Sequence, residues 1–129
     1  MSVSSITLHA KPSANYAEKV SETLALLQQA VAEFSPVTQA SSLGAEDVVI
    51  THLINQNTLN MPVFVLETGA LHRETLALLK RTQAHSKVPV NVYRPSEEKV
   101  IAFVKTHGKD AMYQSIDLRK ACCQVRKLE

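Results

Sequence analysis

Short apolar runs alternate with helical periods along this chain, and that alternation admits few folds. Val37 to Ala40, Pro62 to Leu66 and Val88 to Tyr93 have strand length, and each is followed by a segment with helix-forming character. A strand that leads into a helix returns to the same sheet as a parallel neighbour, by a right-handed crossover. The predicted class is therefore α/β, a parallel sheet flanked by helices. Pro62-Val63-Phe64-Val65-Leu66 carries no polar residue on either face, as a strand covered on both sides requires.

The helices are delimited by start and stop signals. Val20, Leu24, Leu27, Val31 and Phe34 recur at steps of four and three, which predicts a helix from near Ser13 that Pro36 ends. Glu46 and Asp47 supply an acidic first turn to a second helix running to about Asn57. A third helix is expected from about Leu71 to Ala84. Ser96 caps a fourth, which Gly108 terminates. A last helix opens around Ser115 and is expected to be still running, uncapped, at Glu129.

Composition narrows the class. The 129 residues are 45% hydrophobic and 20% charged with 3 Gly and 5 Pro, which excludes fibrous and disordered readings and suits one domain or part of one. Fourteen basic and 12 acidic residues leave a net charge of +2, too small to argue for nucleic acid. No apolar run reaches the ~20 residues of a membrane helix, and none forms a secretory signal. The cysteines are adjacent, Cys122 and Cys123, so no disulfide framework exists and a reducing, cytoplasmic setting is expected.

In parallel sheets, ligands bind beyond the carboxyl ends of the strands. Two glycine-containing turns fall there. Ser41-Ser42-Leu43-Gly44-Ala45-Glu46-Asp47 joins a strand to a helix with small side chains, which lets backbone N–H groups approach an anion. Leu66-Glu67-Thr68-Gly69 closes the next strand. Each alone is compatible with an ordinary turn. Together, at consecutive strand ends, they would face one another across a cleft.

The third stretch, Arg119-Lys120-Ala121-Cys122-Cys123-Gln124-Val125-Arg126-Lys127, sets two thiols among four cations. Such surroundings favour the thiolate, the form that binds metal or attacks an electrophile. Neighbouring helical positions lie about 100° apart, so both cysteines cannot be core. A four-coordinate metal site or cubane needs four ligands, and the chain offers two thiols. The histidines, His9, His52, His72, His85 and His107, show no spacing that completes the set, although His72 follows the second turn closely enough to touch a ligand.

From about Thr38 to Glu129 the chain resembles the thioredoxin-dependent adenylyl-sulfate (APS) and phosphoadenylyl-sulfate (PAPS) reductases. Gly44-Ala45-Glu46-Asp47 looks like the family's phosphate loop, Leu66-Glu67-Thr68-Gly69 like its Leu-Asp-Thr-Gly motif with Thr75 following, and Tyr113 through Lys127 like the segment introducing its cluster cysteines. The resemblance implies an adenine-nucleotide α-hydrolase-like, Rossmann-like fold and an oxidoreductase of sulfate assimilation and cysteine biosynthesis. It implies reduction of APS to sulfite and AMP, with thioredoxin as the electron donor. Cys122 and Cys123 would be two ligands of a [4Fe-4S] cluster, the mark of the APS-preferring branch. Ser41, Ser42, Gly44, Glu46 and Asp47 would line the phosphosulfate site, and Glu67, Thr68 and Gly69 the nucleotide wall. Arg126 would contact substrate, and Lys127 would stand between cluster and substrate as an electrostatic catalyst.

Three departures stand out. Leu43 occupies a position that is serine in some relatives, Glu67 replaces an aspartate, and the family's second cysteine pair, distal nucleophilic cysteine and substrate arginines are not in this sequence. The expectation is an N-terminal helical segment, residues 1–36, and an N-terminal part of the reductase domain, residues 37–129, inactive alone and possessing no nucleophile. A homo-oligomer is also consistent with the family. Two other functions stay open: a non-catalytic adenine-nucleotide-binding module, and a homodimer bridged by metal through Cys122 and Cys123.

Overall fold

The computed structural model describes residues 4–129. They form two compact units, one ending at Val37 and the other spanning Thr38–Glu129. The first contains α1 (Ser5–His9) and α2 (Tyr16–Phe34). Helix α1 carries no periodic signal in the sequence and starts because the Ser4 hydroxyl accepts the Ile6 N–H. Helix α2 begins three residues later than the sequence suggests. The Ser13 hydroxyl donates to the Asn15 side chain, and Asn15 occupies the cap position. None of the residues of α2 is fully buried, and Phe34 is 68% exposed.

The second unit holds the parallel sheet, with strands β1 (Gln39–Ser41), β2 (Val63–Leu66) and β3 (Val90–Tyr93) in that spatial order. Gln39 pairs with Val63 and Ser41 with Val65, while Val63 pairs with Val90 and Leu66 with Tyr93. The central strand is the most buried, with Val63 at 0% and Val65 at 2% exposure. Six helical segments alternate with and follow these strands: α3 (Ala45–Gln56) after β1, α4 (Arg73–His85) after β2, and then α5 (Glu97–His107), a 3₁₀ turn (Ala111–Tyr113), α6 (Ile116–Cys123) and a π-helical turn (Gln124–Leu128) after β3. Leu43, Val65 and Leu79 pack together with Leu78, Val90 and Val92 against them. Ile54 on α3 is completely buried, a contribution of about 1.5–3 kcal/mol for a side chain of its size.

The α/β class predicted from the alternation is the class observed. Besides α2, several boundaries differ: α4 starts at Arg73 rather than Leu71 and β3 at Val90 rather than Val88. Strand β1 starts at Gln39 rather than Val37, because the Thr38 hydroxyl and the Gln39 N–H both donate to the Pro62 carbonyl and align the pair from there. Gln39 is buried, yet fully used: its amide donates to the Asp47 carbonyl and accepts from the Thr51 hydroxyl. The last helix is not uniform. It is α-helical to Cys123 and then widens into a π-helical turn, Gln124–Leu128, closed by a 3.2 Å bond from the Glu129 N–H to the Gln124 carbonyl. Caps at Ser96 and Ser115, and Gly108 at φ +87° ending α5, follow the sequence signals. No helix among the described residues is long and apolar enough to cross a membrane.

Candidate functional site

A cleft of about 320 Å³ opens beyond the carboxyl ends of β1 and β2. Ala40, Ser41, Ser42 and Asp47 form one wall, Phe64, Leu66, Thr68 and Leu71 the other, and Lys127 reaches it from the π turn. The two glycine-containing turns therefore do face one another. Of the site residues read from the sequence, Ser41, Ser42, Asp47, Thr68 and Lys127 border the space. Gly44, Glu46, Glu67, Gly69 and Arg126 do not line it.

The first turn is built by short polar contacts. Asp47 Oδ2 accepts both the N–H and the hydroxyl of Ser42, each at 2.7 Å. The Ser42 oxygen in turn accepts the Gly44 N–H at 3.3 Å, and Ser41 Oγ accepts the Leu43 N–H at 3.1 Å. The Ser42 hydroxyl and N–H hold the Asp47 carboxyl below the usual carboxylate range, the hydroxyl contributing most, against the opposing effect of burial. Leu43 sits at φ +64° with its side chain 7% exposed, anchored in the core. Gly44 is cramped rather than conformationally special. A Cβ there would lie 3.1 Å from a Glu46 carboxylate oxygen and 3.2 Å from Ser42 Oγ.

The second turn is braced differently. Glu67 Oε1 accepts the Gly69 N–H at 2.7 Å, and its other oxygen pairs with Arg94 at 3.3 Å. Gly69 lies at φ +76°, a conformation that glycine adopts without penalty. Thr68 is buried, and its carbonyl accepts Arg126 Nη1 at 2.7 Å. Arg126 thus ties the cysteine-bearing segment to the end of β2. Its Nε is buried without a partner. Arg94 did not stand out in the sequence, although its place directly after a strand was a usable signal.

A second groove, about 260 Å³, runs beside the cleft and is lined by Met112, Tyr113, Arg119, Cys122, Cys123 and Arg126 among others. Thr68, Leu71 and Lys127 border both spaces, so they form the partition between them. Cys122 is buried and Cys123 exposed, as neighbouring positions on one helix dictate. The donor set fits a metal group in chemistry but is half complete: two thiols, and no cluster of three or more His, Cys, Asp or Glu side chains among the described residues. His72 stands at the start of α4 without a side-chain capping bond, and His52 and His85 line a separate groove between α3 and α4.

Comparison with known proteins gives the family and the fold. Residues 36–129 match the phosphoadenosine phosphosulfate reductase domain. The adenosine 5'-phosphosulfate reductase of Burkholderia cepacia is 39% identical over 113 residues, covering 88% of this chain and 45% of that protein. Its counterpart in Neisseria meningitidis serogroup B is 40% identical over 114 residues, 88% of this chain and 46% of that protein. The Allochromatium vinosum enzyme is 39% identical over 81% of this chain and 41% of its own length. The chain therefore spans less than half the length of these relatives. The fold is shared with the crystal structure of a phosphoadenylyl-sulfate reductase from Candida auris in a phosphate complex. That match has a TM-score of 0.65 at 22% identity and covers 99% of this chain and 60% of the other.

Proposed function

This chain belongs to the phosphoadenosine phosphosulfate reductase domain family, and from that premise we propose that it forms the nucleotide-binding portion of an adenylyl-sulfate reductase. The overall reaction consumes adenylyl sulfate and a dithiol, with thioredoxin as donor, and yields sulfite, AMP, a disulfide and two protons. The observation that carries the reading is the position of Lys127, on the partition between a strand-end cleft and a groove holding two thiols. A nucleotide in the cleft would present its phosphosulfate to the Ser41–Asp47 turn, with the Lys127 ammonium neutralising developing negative charge on its oxygens. Identity to proteins named adenosine 5'-phosphosulfate reductases, together with the cysteine pair, favours APS over its 3'-phosphorylated relative.

Cys122 and Cys123 would give two of four thiolate ligands to a [4Fe-4S] cluster, which when bound would supply an electron-rich, polarising centre beside the partition. Attack on the sulfate sulfur requires a thiolate that is not committed to metal. In this reading that nucleophile comes from a segment beyond these residues, and AMP is the leaving group. Residues 38–129 then do three things: they bind the nucleotide, orient its anionic end and hold a positive charge against it.

Calorimetric titration of AMP and adenylyl sulfate into the 129-residue chain tests this. Saturable one-to-one binding is expected, weakened about tenfold or more by Lys127→Ala, as loss of a charge-assisted contact implies. Absence of binding would overturn the assignment. Sulfite release from adenylyl sulfate by this chain with thioredoxin would overturn the claim that the nucleophile lies outside it.

A further inference from the structure

Asp47 is an unexpected wall for an anion site, since a carboxylate bordering the cleft opposes a phosphosulfate by charge. Its hydrogen bonds explain its presence. One oxygen accepts both donors of Ser42, so the single hydroxyl proton of Ser42 is committed to Asp47. The Ser42 oxygen is turned to the Gly44 N–H, the first N–H of the strand-to-helix junction. Asp47 occupies the third position of α3, where a side chain can reach back over the helix start as in a capping box. Here it reaches two residues further, to Ser42, and closes a relay from Gly44 through Ser42 to the carboxylate.

The neighbouring hydroxyl differs. Ser41 Oγ accepts the Leu43 N–H, its own proton has no partner among the described residues, and it borders the cleft. Leu43 at φ +64° is held from both sides, by its buried side chain and by the Ser42 latch.

We infer that Asp47 is a positioning residue and not a ligand contact: it locks the 41–44 turn in the shape that leaves the Ser41 hydroxyl, rather than the Ser42 hydroxyl, as the donor for the bound anion. The inference rests on reading the cleft as the nucleotide's phosphate site. The ordinary expectation for this motif makes both serines equivalent donors, and the latch makes them unequal.

The test is AMP affinity across a set of variants, each checked by thermal unfolding. Asp47→Ala and Ser42→Ala should each weaken AMP about tenfold, and the double variant should be no weaker than either single, because both break one latch. Asp47→Asn retains an acceptor oxygen and should recover part of the loss. Ser41→Ala combined with Asp47→Ala should lose little more than Ser41→Ala alone, because the latch acts through the Ser41 hydroxyl, and additive losses there would overturn the inference. If Asp47 acts only through its charge, Asp47→Asn and Asp47→Ala will tighten AMP, and that outcome overturns the inference. Additive losses for Ser42 and Asp47 would overturn it too. In the unaltered chain, the Ser42 amide proton resonance should follow the ionisation of Asp47 below the ordinary carboxylate range. An amide resonance insensitive to pH there would remove the latch whatever the variants do. Failure of the unaltered chain to bind AMP would instead fault the nucleotide reading, so the two failures are separable.

Discussion

Gly69 shows how much a single position carries. Its φ of +76° lies where a Cβ is disfavoured, and a Cβ built there would sit 3.4 Å from Arg126 Nη1. Gly69→Ala is expected to cost about 1–2 kcal/mol of stability from backbone strain alone. It should also loosen the bond from Arg126 to the Thr68 carbonyl. Chemical denaturation checks the first effect, and amide hydrogen exchange at residues 68–70 the second. Asp47 makes a prediction in pH. Its folded carboxyl is held below the ordinary value of 3.8, so its stabilising contribution is fully present above that value and is lost as pH falls through the folded one. The stability gap between the unaltered chain and Asp47→Asn should therefore be constant from pH 7 to pH 5 and narrow below pH 4. The same sign applies to Glu129, which Lys99 holds low across a 2.9 Å pair. These pairings are poorly legible in sequence. The motif Gly44-Ala45-Glu46-Asp47 marks a helix start, but nothing in its spacing says that Asp47 turns back to Ser42 while Glu46 stays exposed on the outer side.

Among the elements, α3 does the most to position the site, because it fastens the cleft to the core. Its inner face buries Thr51, Leu53 and Ile54, and its outer face leaves Val49 55% exposed. Ile54→Ala should destabilise by about 2–5 kcal/mol through the cavity it leaves, whereas Val49→Ala should stay within about 0.5 kcal/mol. Comparable losses at both positions, measured by denaturant unfolding, would contradict this account of the helix. The helices and strands of residues 38–129 were readable because each carries a periodicity and a boundary residue: Ser96, Gly108 and Ser115 do in the structure what their chemistry suggests. Three features were not readable. Helix α1 is too short to show a period. Strand β1 starts at Gln39 because Thr38 and Gln39 anchor on the distant Pro62 carbonyl, and the buried Gln39, which reads as polar and exposed, is satisfied by Asp47 and Thr51 from another element. The π turn after Cys123 depends on contacts at its far side, including Arg126 on Thr68 and Glu129 on Lys99, and has no local signature.

For the molecule as a whole, order along the chain becomes adjacency in space. Three stretches far apart in the chain, Ser41–Asp47, Leu66–Gly69 and Arg119–Lys127, meet at the carboxyl ends of β1 and β2, as the parallel topology requires. The meeting could be foreseen from the sequence; which side chains border the cleft could not. Glu67 is drawn away by Gly69 and Arg94, while Lys127 is delivered by a turn the sequence does not announce. The two thiols add a further expectation. Anaerobic reconstitution with iron and sulfide should give this chain no stable four-iron absorbance, since it offers half the thiolates, and a stable cluster per monomer would show that the ligand count is wrong. The central claim is that the strand-end cleft receives the nucleotide. The most direct measurement is a titration of the isotope-labelled chain with adenylyl sulfate followed by amide NMR. Saturable shifts concentrated at Ser41, Ser42, Thr68 and Lys127 are the predicted result, and shifts that do not saturate, or that fall on α5 while these four residues stay still, would contradict it.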